Sequence, residues 1–107
     1  MKVSRHQVLA ALSSHVGIGN GVRARDLARC VGCCERELRK HISTLIIDEG
    51  AHIGGRPATG YFIAEHPDEL VDTIEFHLKR GRHELLKASR LSGKPLLELA
   101  GQERIKA

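Results

Sequence analysis

The stretch VRARDLARCVGCCERELRKHISTLIIDEG, residues 22–50, decides the fold of this chain because it holds two apolar periodicities separated by one glycine. In the first, Leu27, Ala28 and Val31 have the spacing of the inward face of a short helix. Gly32 follows, and glycine is the residue type that favours the left-handed backbone at a helix C-terminus. We therefore expect a short helix that stops at Gly32.

A second, longer helix is predicted over residues 34–49, ending before Gly50. Glu35 and Glu37 in its first turn suit the positive end of a helix dipole. The spacing i, i+4, i+7, i+8 predicts a buried face formed by four apolar residues, Leu38, Ile42, Leu45 and Ile46. The opposite face is then polar and carries Arg36, Arg39, Lys40 and Ser43.

The segments around residues 22–50 predict a mainly α-helical domain with a small β-hairpin. Ser4 is the expected N-cap of a first helix with an apolar stripe, and Val22 is expected to be extended. Two short runs of strand type, AHI and YFI, flank the turn-rich segment GGRPATG. They predict a two-stranded hairpin over about residues 51–63, with Arg56 projecting from its tip.

A long helix is predicted after the hairpin, starting near Pro67 and breaking at residues 92–93, and a short final helix is predicted from Pro95. Six residues of the long helix recur at steps of three and four, as in a heptad seam: Val71, Ile74, Leu78, Gly81, Leu85 and Ala88. We predict a domain over residues 1–66 and a helical extension over residues 67–107. The seam pairs with a second copy to form a homodimer or, alternatively, packs on its own domain.

The composition favours an anionic partner. The chain has 107 residues, a formal net charge of +4 and a pI near 9.3. Nucleic acid is one such partner. No run approaches the roughly 20 apolar residues of a membrane span, and the N-terminus lacks the apolar run of a signal peptide. We therefore expect a cytoplasmic protein that does not enter a membrane.

The three cysteines suggest a zinc site, but the pattern lacks ligands. Cys30 and Cys33 form one C-x-x-C pair, Cys34 is adjacent, and neither a second pair nor histidines at finger spacing follow. We expect no metal and no cofactor. Cys30 is predicted to be semi-buried, and the helix N-terminus is expected to stabilise a thiolate at Cys33 and Cys34. Phosphate-loop, nucleophile-elbow and zinc-protease motifs are absent from the sequence, so we expect no enzyme.

The order of helix, short helix, turn, longer helix and hairpin is that of a winged helix-turn-helix. Residues 22–50 resemble the helix-turn-helix, and HIGGRPATGYFIA, residues 52–64, resembles the wing. The chain resembles small winged helix-turn-helix DNA-binding proteins of bacteriophages and prophages. In these a Gly-Tyr strand precedes a Glu-Leu-rich helix, much like GYFIAEHPDELVDTIEFHLKRG, residues 60–81. The resemblance covers roughly residues 4–64.

A helix that fits the DNA major groove would carry the contacts to double-stranded DNA. We expect Arg36 and Lys40 nearest the bases, with Arg39 and Ser43 beside them. The remaining predicted contacts are to phosphate or the adjacent minor groove, from Arg23, Arg25 and Arg56.

The resemblance implies a regulator of phage or prophage transcription or DNA replication. The apolar tail PLLELAGQERI, residues 95–105, is a candidate site for a host or phage replication or transcription protein. The alternative is a winged-helix adaptor that binds proteins and no DNA, because fold alone does not determine function.

Overall fold

The computed structural model describes residues 2–95. Four α-helices and two β-strands occur in this part of the chain, together with two short 3₁₀ helices at Ile18–Asn20 and Pro67–Leu70. In chain order the main elements are α1 (Arg5–Leu12), α2 (Ala24–Val31), α3 (Glu35–Glu49), β1 (Ile53–Arg56), β2 (Gly60–Ile63) and α4 (Val71–Ser92). The prediction of a mainly α-helical chain with a small hairpin and a long C-terminal helix is confirmed.

Helix α1 starts at the predicted cap. The Ser4 hydroxyl accepts a hydrogen bond from the Gln7 N–H at 3.2 Å, and the Gln7 side chain accepts one from the Ser4 N–H at 2.8 Å. This reciprocal capping box satisfies two backbone donors that a helix start would otherwise leave unpaired. Two of the predicted apolar residues, Val8 and Leu12, are completely buried.

Helices α2 and α3 are joined by the predicted turn. Gly32 has a φ of 85°, and the N–H groups of Gly32 and Cys33 donate to the Ala28 carbonyl at 2.9 and 3.0 Å. Cys34 is the N-cap of α3, and the helix stops at Gly50, where φ is 66°. The left-handed backbone at both glycines confirms the predicted ends of the two helices.

The core lies between α1, α2, α3 and the start of β1. Its buried residues are those of the predicted inward faces together with one strand residue: Val8, Leu12, Leu27, Ala28, Leu38, Ile42, Leu45 and Ile53. Because the predicted inward face of α3 is buried here, its polar face is left toward solvent. Phe62, on β2, is also buried, and its ring lies against Gly54 of β1.

The hairpin is held to the connection between α1 and α2. Its strands pair antiparallel with Ile53 opposite Ile63. Val22 is extended, as predicted, and exchanges two main-chain hydrogen bonds with Tyr61 at 2.9 and 2.8 Å. The Gly17 N–H also donates to the Ile63 carbonyl at 2.8 Å. The free edge of β2 is therefore paired with main chain from before α2.

The chain packs as two units, one ending at Thr73 and one starting at Ile74. The first unit extends past the boundary we predicted at residue 66, because Thr73 is buried and its hydroxyl accepts a hydrogen bond from the Gly55 N–H at 3.1 Å. Within the described residues the second unit consists chiefly of the rest of α4, which continues as α-helix through Gly81 and ends at Ser92, before Gly93 with its positive φ. The predicted final helix lies outside the described residues.

Glu69 ties the second 3₁₀ helix to the first. Its carboxylate accepts hydrogen bonds from the N–H groups of Ile18 at 2.8 Å, His66 at 3.0 Å and Glu65 at 2.6 Å. These donors, chiefly that of Ile18, lower the pKa of Glu69, because they stabilise the charged form.

Acid should weaken the hydrogen bonds that the Glu69 carboxylate accepts. A carboxylate whose pKa is lowered by folding contributes stability above the unfolded pKa, roughly 4.3, and loses it as the pH falls through the folded pKa. Glu69→Gln should therefore be less stable than the wild type near neutral pH and lose less stability on acidification. Urea unfolding midpoints as a function of pH would measure this, with Asp48→Asn at an exposed position of α3 as the control. If acid destabilised the wild type and Glu69→Gln equally, Glu69 would not be a carboxylate whose pKa is lowered by folding.

Two glycines that precede Val22 in the sequence, Gly19 and Gly21, differ in the space around them. A Cβ on Gly21 would collide with the Thr59 carbonyl oxygen, whereas a Cβ on Gly19 would have no described atom within 4 Å. We expect Gly21→Ala to destabilise the fold by about 1–3 kcal/mol, because main chain must move to relieve the clash. Gly19→Ala, the matched control, should stay within about 0.5 kcal/mol of the wild type. Equal denaturant midpoints for the two variants would show that Gly21 is not in close contact with the Thr59 carbonyl oxygen.

Candidate nucleic-acid interface

The outward face of α3 brings together four of the predicted contact residues. Arg36, Arg39, Lys40 and Ser43 are all exposed, and with Thr44 they line one open depression on the protein surface. Their spacing places them on successive turns of the helix, opposite the buried Leu38, Ile42 and Leu45. The surface is therefore a continuous polar strip with three positive charges along about two turns of helix.

The charges of this strip are largely uncompensated. Among residues 2–95, Arg36 and Lys40 form no ion pair. Arg39 has one contact with Glu35, in which Nη1 and Oε1 are 4.0 Å apart and both side chains are about half exposed. Such a pair contributes little stability in water, so an anionic ligand can compete for Arg39 at low cost.

The two arginines predicted to hold phosphate lie at the start of α2. Arg23 is the N-cap residue of α2 and is exposed. Arg25, one residue into the helix, is also exposed, with its Nε 3.7 Å from the Asp26 carboxylate. Neither lines the depression on α3. Their side chains are accessible, and their role at phosphate stays a prediction.

Arg56 does not project from the hairpin tip as we expected. It is the last residue of β1, opposite Gly60, and the turn itself is formed by residues 57–59. Its Nε donates to the Asp72 carboxylate at 3.1 Å, and its side chain is only 29% exposed. The reason is the carboxylate of Asp72, near the start of α4, which attracts the guanidinium to the base of the turn.

Tyr61 is a residue of this surface that the sequence analysis missed. Its ring covers Gly55, since a Cβ there would lie 2.5 Å from the Tyr61 ring. Burial raises the pKa of the Tyr61 hydroxyl, the Arg39 charge lowers it, and Glu35 raises it. The charges of Arg39 and Glu35 on α3 thus act on the hydroxyl of this hairpin residue. Its position after Gly60, as the sole tyrosine of the chain, was the available signal.

The cysteines differ from their predicted environments. Cys30 is exposed, where we expected it to be semi-buried, whereas Leu27 and Ala28 of the same helix are buried. Cys33 is half-buried, and its pKa is raised by burial and further by Glu37 and Cys34. The expectation of a stabilised thiolate at Cys33 is therefore wrong. Within residues 2–95, His, Cys, Asp and Glu side chains form no group of three or more placed to bind a metal ion.

Comparisons with protein-family models, with curated proteins and with solved structures find no match to this chain. No helix between residues 2 and 95 has both the length and the apolar character needed to cross a membrane.

The three thiols should react at different rates. A raised pKa lowers the thiolate fraction, and burial limits access, so we expect Cys33 to be alkylated more slowly than Cys30 and Cys34. Timed iodoacetamide labelling of the folded protein, read by peptide mass spectrometry, would measure the three rates. The urea-unfolded chain is the control, in which the rates should converge. Fastest labelling of Cys33 in the folded protein would contradict this arrangement.

Proposed function

We propose that this chain is a winged helix-turn-helix protein that binds double-stranded DNA, with α3 as the recognition helix and the β1–β2 hairpin as the wing. The observation that supports this most is the shared depression on α3. Arg36, Arg39, Lys40 and Ser43 line it together, while the opposite face of the same helix is buried in the core. The rigid core thus presents hydrogen-bond donors on one exposed helix face.

Groove dimensions and side-chain chemistry match this arrangement. The 15 residues of α3 span roughly 22 Å, and the DNA major groove, about 12 Å wide, admits an α-helix. Arg36 and Lys40, one turn apart, carry the donors suited to guanine O6 and N7. Arg39 and Ser43 can serve either bases or phosphates. Arg23 and Arg25, exposed at the start of α2, would contact phosphate.

Arg56 would have to leave the Asp72 carboxylate to reach DNA. Asp72 is 70% exposed, so the pair with Arg56 is accessible to solvent and weak in free energy. A phosphate or the narrow minor groove could then take the guanidinium from Asp72. On this proposal the wing contributes less to affinity than α3 does.

The resemblance to phage and prophage proteins supports a regulatory role in transcription or DNA replication, in the cytoplasm, by binding rather than catalysis. The tail at residues 95–105 is the proposed contact for a replication or transcription protein. The rival function is a protein-interaction adaptor. Exposed apolar residues on α4 favour it, among them Ile74 at 51% and Leu78 at 62% exposure. Salt dependence separates the two, because binding to DNA phosphates weakens steeply with salt.

Removing two charges from the α3 face should weaken DNA binding. We expect Arg36→Ala with Lys40→Ala to lower affinity for random duplex DNA at least about tenfold, and to reduce the salt slope by up to about two. Fluorescence anisotropy titrations over a range of salt concentrations would measure both quantities.

The matched control removes two exposed positive charges from α4, Lys79→Ala with Arg80→Ala. It should retain most of the affinity. Equal losses in the two double variants would show that net charge alone drives binding. Undiminished binding by Arg36→Ala with Lys40→Ala would exclude α3 as the recognition helix, and no salt-dependent duplex binding by the wild type would favour the adaptor.

A further inference from the structure

One face of α4 is apolar and open to solvent. Ile74 is 51% exposed and Leu78 is 62% exposed, while Leu85, two turns further along, is half-buried. Together with Gly81 these residues form the central part of the seam predicted from the sequence, and Val71, 51% exposed, lies one turn before them. Exposed aliphatic side chains at helical spacing are a surface that association would remove from water.

No contact within the described residues accounts for a glycine at position 81. It lies in the interior of a 22-residue helix, where glycine is about 1 kcal/mol less favourable than alanine. Its φ is not positive, and no described atom lies within 4 Å of where its Cβ would be. The fold of residues 2–95 therefore does not require a glycine here. Close approach of another backbone or a large side chain is the circumstance in which a missing Cβ is an advantage.

The spacing of this face is symmetric. The steps from Ile74 to Leu78, Gly81 and Leu85 are four, three and four residues, which read the same in both directions. Two copies of α4 packed antiparallel would therefore place Ile74 opposite Leu85, and Leu78 opposite Gly81, twice each. In this register the large side chain of Leu78 meets the position that lacks one, so each contact pairs complementary volumes.

Charge complementarity selects the same orientation. Glu75 and Arg82 follow Ile74 and Gly81 on the same edge of the face, and both are exposed. Neither forms an ion pair with another residue of the described chain. In an antiparallel pair in this register, Glu75 lies on the same edge of the interface as Arg82 of the second copy, offset by two residues, roughly 3 Å along the axis. In a parallel pair the two are separated by two turns, roughly 10 Å along the axis.

We infer that a second copy of this chain docks on α4 in antiparallel orientation, with Leu78 packed over Gly81 and Glu75 paired with Arg82 across the interface. The pairing surface is confined to α4 and does not use the α3 strip. The inference therefore stands independently of DNA binding, and its test is carried out without DNA.

Two charge-reversal variants of the full chain test the orientation. Glu75→Lys places lysine against arginine in its homodimer, and Arg82→Glu places glutamate against glutamate, so each should dimerise roughly tenfold more weakly than the wild type. Mixed in equal amounts, they form a heterodimer in which both cross-interface pairs are again of opposite charge. Sedimentation velocity of the single variants and of the mixture should show that mixing restores the dimer. Circular dichroism would verify that each variant keeps its helix content.

Arg80→Glu provides the matched control, because Arg80 is exposed on α4 but lies off the edge that carries Glu75 and Arg82. Its mixture with Glu75→Lys should not restore the dimer to the same degree. A wild type that stays monomeric up to about 100 micromolar would overturn the inference. Undiminished dimerisation of both single variants would also overturn it. The antiparallel pairing would be excluded if mixing Glu75→Lys with Arg82→Glu did not restore the dimer. It would also be excluded if mixing Glu75→Lys with Arg80→Glu restored the dimer equally well.

Discussion

The two main-chain hydrogen bonds between Val22 and Tyr61 are the interaction on which the arrangement of the candidate surface depends. They connect the segment before α2 to β2, and they form only because Gly21 and Gly60 leave room for the two backbones to approach. Because β2 is held there, the Tyr61 ring covers Gly55 and its hydroxyl stays in range of Arg39 on α3. This backbone contact thus holds the hairpin beside the segment that leads into α2.

The helices and the α3 face could be predicted from the sequence because their determinants are local. A 3.6-residue period, the cap at Ser4 and the glycines at 32 and 50 each act within a few residues, and all took the expected conformation. Residues that depend on distant partners could not be predicted in this way. Arg56 turns toward Asp72, 16 positions away, and nothing in the sequence around Gly21 indicates that it faces Thr59.

The cysteines also show that local sequence does not predict an effect that depends on packing. Their type and spacing indicated a helix N-terminus, and Cys34 is indeed the N-cap of α3. Whether a helix terminus lowers a thiol pKa depends on what else surrounds the sulfur. At Cys33 burial and the nearby Glu37 act against the helix dipole and raise the pKa instead. Burial follows from the packing of α2 against α3, which a pattern of residue types does not contain.

The charge distribution of α3 leaves its basic side chains with at most weak intramolecular ion pairs that a ligand can replace. Its acidic residues, Glu35 and Glu37, are in the first turn, where the helix dipole already stabilises them. The pair of Glu35 with Arg39 is weak because it is long and exposed, and Arg36 and Lys40 form no ion pair within residues 2–95 that they would have to leave to bind an anion. The polar strip on α3 therefore loses little free energy when its own ion pair is broken. Most of the electrostatic free energy of an approaching phosphate or base edge is then available for binding.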